Sequence, residues 1–331
     1  MTTIKDVAKK AGVSFKTVSR VLNNDDAVRA STRERVLAAM AALNYRPNAI
    51  ARGLRTQRTH TIGFISDEIG TSPYAGQILQ SAQNMAWQHG ILLFSVNTEH
   101  QTELKKSAVE MLLNRQVDGI IYAAMYHRCV TPPDNIRNIP AVLLDCFVED
   151  GSLPSVVPDE QMGGYTAVKH LLEKGYRRIG FLNHNEPVPA ATGRLAGYQQ
   201  ALAEFQIAFE PALVAEDVSF IDGGYRAAQQ LLNMSHRPEA IFCFNDRMAL
   251  GTYQAMAERG LSVPGDVAVV GFDDQPKFAA HLRPSLTTVR LPYNEMGIWA
   301  VEQILRLIDG QDNSKRIQEK LTCELIIRES T

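Results

Sequence analysis

Two groups of residues in this chain have the types and spacing to do chemistry. Near the start, Phe15, Lys16, Ser19 and Arg20 recur at helical spacing and face away from Val18, Val21 and Leu22. Lysine and arginine reach guanine edges and phosphates, and a phenyl ring can rest on a thymine methyl, so this face suits the major groove of DNA. Farther along, polar residues stand directly after apolar runs: Asp145 after AVLL, Asn245 and Asp246 after AIFCF, Asp273 and Asp274 after VAVVGF. Carboxylates and an amide at strand ends can exchange hydrogen bonds with a ligand rich in hydroxyls. Strand-end acids also cap the helices that follow them, and Asp246, just before MALGTYQAM, fits either role.

The first group needs a helix-turn-helix to present it. TIKDVAKKAGVSFKTVSRVL, residues 3–22, reads as two short helices joined at Gly12. Thr3 is an N-cap with Asp6 three residues on, Gly12 supplies the backbone conformation of a tight turn, and Ser14 caps the second helix. Such a second helix enters the major groove by its N-terminal residues, whereas an ordinary helical hairpin would leave the same face solvated. A third helix is expected from a Ser31 cap with Glu34 in the capping-box position, contributing Val36, Leu37, Met40 and Leu43 to a small core. Charge agrees: residues 1–60 carry 12 Lys/Arg against 4 Asp/Glu, and the remaining residues carry 22 against 32. A basic head on an acidic body is expected when one part meets phosphates and the other does not.

The second group needs a sheet. From residue 60, strand-length apolar runs (HTIGFIS, ILLFSVN, DGIIYAA, AVLLDCF, then RRIGFLN, AIFCFN, VAVVGFDD) alternate with helical stretches such as Gln77 to Gln88 and Glu103 to Arg115. Alternation of this kind predicts doubly wound parallel sheets covered by helices. Two segments, GGYTAVKHLLEKGYRRIGFL and GGYRAAQQLLNMSHRPEAIFCF, also resemble each other as helix followed by buried strand. A chain of 331 residues suits two or three domains. With no signal peptide and no run of membrane-spanning length, a soluble cytoplasmic protein without membrane association is expected. The four cysteines (Cys129, Cys146, Cys243, Cys323) are widely spaced and mostly within apolar runs, which predicts free buried thiols; neither they nor the eight histidines have metal-ligand spacing, so no metal or other cofactor is implied.

IKDVAKKAGVSFKTVSRVLN and RPNAIARGL together resemble the lactose/galactose repressor family. The resemblance implies a DNA-contact set of Thr3, Ser14, Phe15, Lys16, Thr17, Ser19, Arg20 and Asn23. It makes RPNAIARGL a hinge helix in which Asn48, Ala51 and Leu54 meet the minor groove and Leu54 inserts between base pairs to kink the DNA. A helix that short, containing Gly53, is unstable alone and is expected to fold only when docked; a plain basic linker is the other reading. The implied organisation is a helical DNA-binding domain over 1–45, hinge and linker over 46–59, and a periplasmic-binding-protein-like α/β core over 60–331. Its first lobe would span 60–158 and 290–319, and its second 159–289 and 320–331.

Ligands of open parallel sheets sit beyond the carboxyl ends of the strands, and here two such edges would face across a cleft. By resemblance Arg194, in RLAGYQQAL, clamps the effector, with Asn245 and Asp273 binding hydroxyls and Asp145 contributing from the other lobe. Tyr74 and Tyr293 match positions lining the cleft. The family's stacking aromatic falls on Ser219, which leaves neighbouring Phe220 as the candidate, and HNEPVPAA, from His184, lacks the usual Gly-Pro start.

The expected function is a repressor of a carbohydrate operon, released by a sugar and binding pseudo-palindromic double-stranded operator DNA as a homodimer, because one helix-turn-helix reads one half-site. DGIIYAAM, LTTVRLP and LIIREST resemble the sucrose-operon type. A purine-corepressed regulator is the alternative. An enzyme is disfavoured by the lack of a Gly-rich phosphate loop, of G-x-S-x-G and of a metal constellation. Replacing Leu54 with Ala is expected to weaken specific operator binding while leaving effector affinity unchanged, as titrations of DNA and ligand on the same variant can check.

Overall fold

The structure is a computed structural model that describes residues 2–22, 25–46, 58–67, 73–276, 278–311 and 318–331, with 73, 74 and 125 described by backbone alone. The chain divides into two units, Met1–His60 and Thr61–Thr331, each with its own apolar core.

In the first unit α1 (Ile4–Ala11), α2 (Phe15–Leu22) and α3 (Ala30–Ala42) pack around Val7, Val18, Val21, Val36 and Ala39. Two details depart from expectation. Helix α3 starts at Ala30, with Arg29 at the cap position and no side-chain cap bond, so Ser31 lies inside the first turn instead of before it. Leu37 is 50% exposed. The buried stripe runs through 36, 39, 40 and 43, one face at helical spacing, and position 37 falls a quarter-turn outside it.

The second unit holds two six-stranded sheets. The first comprises β1 (Thr61–Ser66), β2 (Leu92–Asn97), β3 (Gly119–Cys129), β4 (Ala141–Phe147), β5 (Ser155–Pro158) and β11 (Gln318–Leu321), in the order β11-β5-β4-β3-β1-β2. The second comprises β6 (Ile179–His184), β7 (Val214–Asp217), β8 (Ala240–Cys243), β9 (Ala268–Asp273), β10 (Thr287–Arg290) and β12 (Glu324–Ile326), in the order β12-β10-β9-β8-β6-β7. Described strand pairs are parallel except β10 with β12. Central strands bury both faces: Ile62, Phe64, Ile121, Ala123, Val142 and Leu144 point to one side, and Ile65, Ile120, Tyr122 and Leu143 to the other. Each of the isoleucine, leucine, valine and phenylalanine side chains contributes about 1.5–3 kcal/mol by leaving water, and the alternation locks the register.

Among the described residues seven helices cover the sheets: α4 (Pro73–Gln88), α5 (Thr102–Asn114), α6 (Glu160–Glu173), α7 (Pro189–Glu204), α8 (Ile221–Leu232), α9 (Asp246–Ala257) and α10 (Tyr293–Ile308). The chain passes between sheets after Pro158, after Arg290 and after Leu321. Arg290 pairs with Asp273 in the second sheet, and Lys320 and Leu321 pair with Val157 and Pro158 in the first, so the chain leaves each sheet one or two residues later than the sequence suggests. Two crossings are tied together where the Asp159 amide donates to the Leu321 carbonyl at 2.8 Å. All four cysteines are free; Cys129, at the far end of β3, is exposed where a buried thiol was expected, and the other three are buried. No helix among the described residues is long and apolar enough to cross a membrane.

The resemblance between the two GGY segments has a packing cause. In α6, a Cβ on Gly164 would lie 2.6 Å from the Arg194 carbonyl oxygen of α7, and Gly197 of α7 has no room before the Gln161 and Tyr165 backbone. In α8 and α9 the pattern repeats: Gly224 abuts the Met248 backbone, and a Cβ on Gly251 would lie 2.5 Å from the Tyr225 amide. Even the tyrosines match, Tyr165 donating to Glu204 at 2.5 Å and Tyr225 to Glu258 at 2.6 Å. Two helix pairs are thus in backbone contact through glycine, and one of those contacts sets the position of Arg194. Gly251→Ala is expected to destabilise the core by about 1–3 kcal/mol through overpacking. Gly76→Ala, in α4 with open space around the new methyl, should be neutral or stabilising by up to about 1 kcal/mol. Urea unfolding of the two variants checks the contrast.

Candidate DNA-reading and effector sites

In the first unit the Thr3 cap is closed from both sides: the Asp6 carboxylate accepts from the Thr3 amide at 2.8 Å and from its hydroxyl at 2.7 Å. Those bonds hold the Asp6 carboxyl below its ordinary value. Gly12 takes φ +66°, a conformation side chains rarely adopt, and the Val13 amide then returns to the Ala8 carbonyl. The Ser14 hydroxyl accepts from the Thr17 amide at 3.1 Å and lies 3.0 Å from the Thr17 hydroxyl, so Ser14 and Thr17 fix the start of α2. Val18 and Val21 are buried, while Phe15, Lys16 and Arg20 face solvent and Ser19 is half-buried. An apolar ring 53% exposed at the first residue of such a helix has no packing role in this unit. Arg20 is held by Asp25 at 2.7 Å, a bond that aims the guanidinium. Asn23, Asn48, Ala51 and Leu54 lie outside the described residues, as does most of the hinge segment.

The second unit gathers its polar strand ends around one cation. Arg194, from α7, is 2% exposed; its Nε donates to Glu160 at 2.7 Å, and Nη1 donates to the Phe244 carbonyl. Its guanidinium lies between two rings, 4.2 Å from the Phe244 centroid and 3.6 Å from that of Phe272. Burial opposes the cation, but Glu160 and Asp273 outweigh it and leave its pKa raised. Arginine suits this place because its flat, delocalised charge can stack on rings while its edge still donates in a fork.

Three carboxyls surround it. Asp273 ends β9 with φ +109°, is 4% exposed, and has burial as the main cause lifting its carboxyl to about 6, against the pull of Arg194 and Arg247. Asp145 lies near the end of β4 with φ +55°; burial, then Glu160, hold its carboxyl well above the usual range, and its Oδ1 is buried without a hydrogen-bond partner. Glu160, at the start of α6, is raised by burial although Arg194 pulls it down. Burial is the largest cause raising all three, and a carboxyl that takes up a proton can donate as well as accept.

Other sequence candidates take different places. Asn245 caps α9, its side-chain oxygen accepting from the Met248 amide at 2.9 Å while Nδ2 donates to the Ser219 carbonyl at 3.0 Å. One amide hydrogen is left for a ligand, fewer groups than the hydroxyl-binding role expected, because the residue before a helix is drawn into capping it. Asp246 is structural: its two oxygens accept from the Thr288 hydroxyl at 2.6 Å and the Gln275 amide at 2.7 Å. Asp274 pairs with Arg328 at 2.7 Å. Tyr293 is buried, and its hydroxyl donates to the Asp273 carbonyl at 3.0 Å, so it ties the lobes instead of offering a free face. Phe220 is 53% exposed and lies over Arg247 beside a surface groove between α8 and α9, outside the Arg194 cluster. The Tyr74 side chain is outside the described residues.

Sequence reading missed Glu160, Phe244, Phe272 and Tyr126. The first three come from separate elements and meet only around Arg194. Tyr126 is on the end of β3, where the pairing with β4 slips between Ala123 and Arg128. It reaches the second lobe, its hydroxyl 2.9 Å from that of Ser219 and accepting from Arg247 at 3.1 Å. The only advance signal is that the polar string YHRC continues directly from the apolar DGIIYAAM run.

Comparison with known proteins matches residues 3–48 to "Bacterial regulatory proteins, lacI family" and residues 168–331 to "Periplasmic binding protein-like domain". The chain is 34% identical to the HTH-type transcriptional repressor PurR of Vibrio atlanticus, over 96% of each chain. It is 33% identical to the ribose operon repressor of Haemophilus influenzae, over 100% of this chain and 98% of that protein. Among solved structures it is similar to the Lac repressor dimer, with TM-score 0.82 and 32% identity over 99% of this chain and 98% of that one. The transcriptional regulator CelR gives TM-score 0.72 and 28% identity over all of both chains.

The raised Asp273 carboxyl has a consequence for pH. Between the ordinary value of 3.8 and about 6 the folded protein binds a proton at Asp273 that the unfolded chain releases, so this group's contribution to stability falls as pH rises through that window. Asp273→Asn is expected to flatten that part of the urea-midpoint profile; a profile parallel to that of the unmodified protein would assign the dependence elsewhere.

Proposed function

The chain belongs to the lacI family of bacterial regulatory proteins, and from that premise we propose that it represses a carbohydrate-utilisation operon and leaves its operator when a sugar occupies the cleft. It is a DNA-binding transcriptional repressor and not an enzyme, and it acts with operator DNA, a small-molecule effector and a second copy of itself. The finer assignment rests on one arrangement: a buried guanidinium stacked between Phe244 and Phe272, with Asp145, Glu160 and Asp273 around it. Arg194, Asp273 and Asp145 are assigned to the ligand hydroxyls, and apolar ring faces to the C–H faces of a sugar. A related structure described as a CelR–cellobiose complex supports a saccharide, as does the name of the ribose operon repressor. The sucrose-like strings narrow the class to sucrose or a related saccharide.

On the DNA side, Phe15 and Lys16 are assigned to base edges, Arg20 to bases or phosphate, and Thr3, Ser14, Thr17 and Ser19 to the start and flank of the reading helix. Asn23 and the hinge residues Asn48, Ala51 and Leu54 keep the roles the resemblance implies. For pairing of two copies the first lobe offers exposed apolar side chains: Trp87 is 75% exposed at the end of α4, and Leu92 and Phe94 are exposed on β2, an edge strand of the sheet. A cytoplasmic setting follows from the operator.

The test is fluorescence anisotropy of the protein on genomic fragments at fixed salt, with sucrose, cellobiose, D-ribose, guanine and hypoxanthine added singly. Release of a pseudo-palindromic fragment by one sugar is the expected outcome. Tighter binding with a purine base would replace the inducer by a corepressor.

A further inference from the structure

We propose that Tyr126 sets the specificity of the cleft: its ring is the wall against which the ligand packs, and its hydroxyl makes closure of the two lobes depend on what lies beneath it. This rests on the cleft being the effector site.

The backbone is shaped for that side chain. Strand β3 pairs with β4 from Ile120 to Ala123, loses register, and pairs again at Arg128. Within the slipped stretch Tyr126 has φ +57°, an uncommon conformation for a bulky residue, held here by contacts made in the opposite lobe. Its hydroxyl meets Ser219 and Arg247, and its ring lies 5.4 Å from His184 and 6.1 Å from Phe244. Phe244 in turn carries the guanidinium of Arg194, so Tyr126 stands one ring away from the group assigned to the ligand.

The second lobe leaves room for it. Ser219, where an aromatic was sought, is small and 1% exposed, and Phe220 beside it faces the external groove with Ile221 and Tyr225. The first lobe therefore supplies an aromatic wall that the second lobe's loop lacks. His184, next to that wall, is buried, which lowers its basicity although Glu186 lies 3.9 Å from its Nε2. Arg128, from the same slipped stretch, lies 3.7 Å from Glu186 of the second lobe, so the end of β3 makes the rim as well as the wall. A ligand that fits beneath the ring keeps the hydroxyl tied to Ser219 and Arg247; a bulkier one displaces it and frees the lobes.

The experiment compares the full chain with Y126F, S219A and Y126A. Hydrogen exchange without ligand is read over 124–130 and 217–222, and sucrose, cellobiose and D-ribose are titrated by calorimetry. S219A is expected to raise exchange in both segments about fivefold, the effect of one lost hydrogen bond, and Y126F, which loses the bonds to both Ser219 and Arg247, by at least as much. Y126A is expected to change the affinity of a bound sugar about tenfold and to alter the order of preference among the three, which a merely structural role would not do; Y126F, which keeps the ring, should preserve that order. Unchanged exchange in Y126F overturns the tie, whatever the sugars do. A sugar bound equally by the unmodified protein and Y126A overturns the specificity role and leaves the sugar reading standing. Raised exchange in Y126F with none of the three bound by the unmodified protein supports the tie and counts against the sugar reading alone.

Discussion

A single buried cation organises the second unit. Charge is costly to remove from water, and Arg194 is tolerated because Glu160 bonds it at 2.7 Å, Asp273 lies near and two aromatic faces cover it. These four come from three places in the fold: Glu160 from α6, Phe244 from just after β8, and Phe272 and Asp273 from β9. The ion pair thereby fixes the relative placement of one helix pair and two strands, and Gly164 lets the α6 backbone approach closely enough for it to form. Losing the guanidinium would leave Glu160 buried without its counter-charge.

Near that cation the described residues of the two lobes share polar contacts as well as a common apolar cluster. The Tyr293 hydroxyl meets the Asp273 carbonyl, the Tyr126 hydroxyl meets Ser219 and Arg247, and Arg128 faces Glu186. Hydrogen bonds of this kind are each worth about 1 kcal/mol, little enough for a ligand to outweigh when it binds the two lobe arrangements unequally. A repressor needs that balance, since an effector shifts an equilibrium only by its difference in affinity for the two states.

Local chemistry made much of this legible in advance. Thr3, Gly12 and Ser14 announce the two helices through caps and a turn whose partners lie within five residues. The strand ends are marked by apolar runs giving way to Asp or Asn. What stayed hidden depends on distant pairs: Glu160 and Arg194 are 34 residues apart and Tyr126 and Ser219 are 93. Short strands such as Ser155–Pro158 and Val214–Asp217 have too few residues for a period to show. Asn245 was legible in position but not in use, because an amide before a helix looks the same whether it binds the helix or a ligand. Leu37 was misplaced by one residue of phase, an error that hydrophobicity alone cannot resolve in an alanine-rich helix.

The path of the chain between the sheets also bears on how the protein is made. The first unit has its whole apolar core by Tyr45, so its helices can close while translation continues. The first sheet instead waits for Gln318–Leu321, and the second receives an edge strand from Glu324–Ile326, so neither is complete until the ribosome has nearly finished residues 61–331. A DNA-reading head can therefore exist on a nascent chain before any effector-responsive body does, and a transcript cut short before residue 318 would yield a reader with no means of being switched.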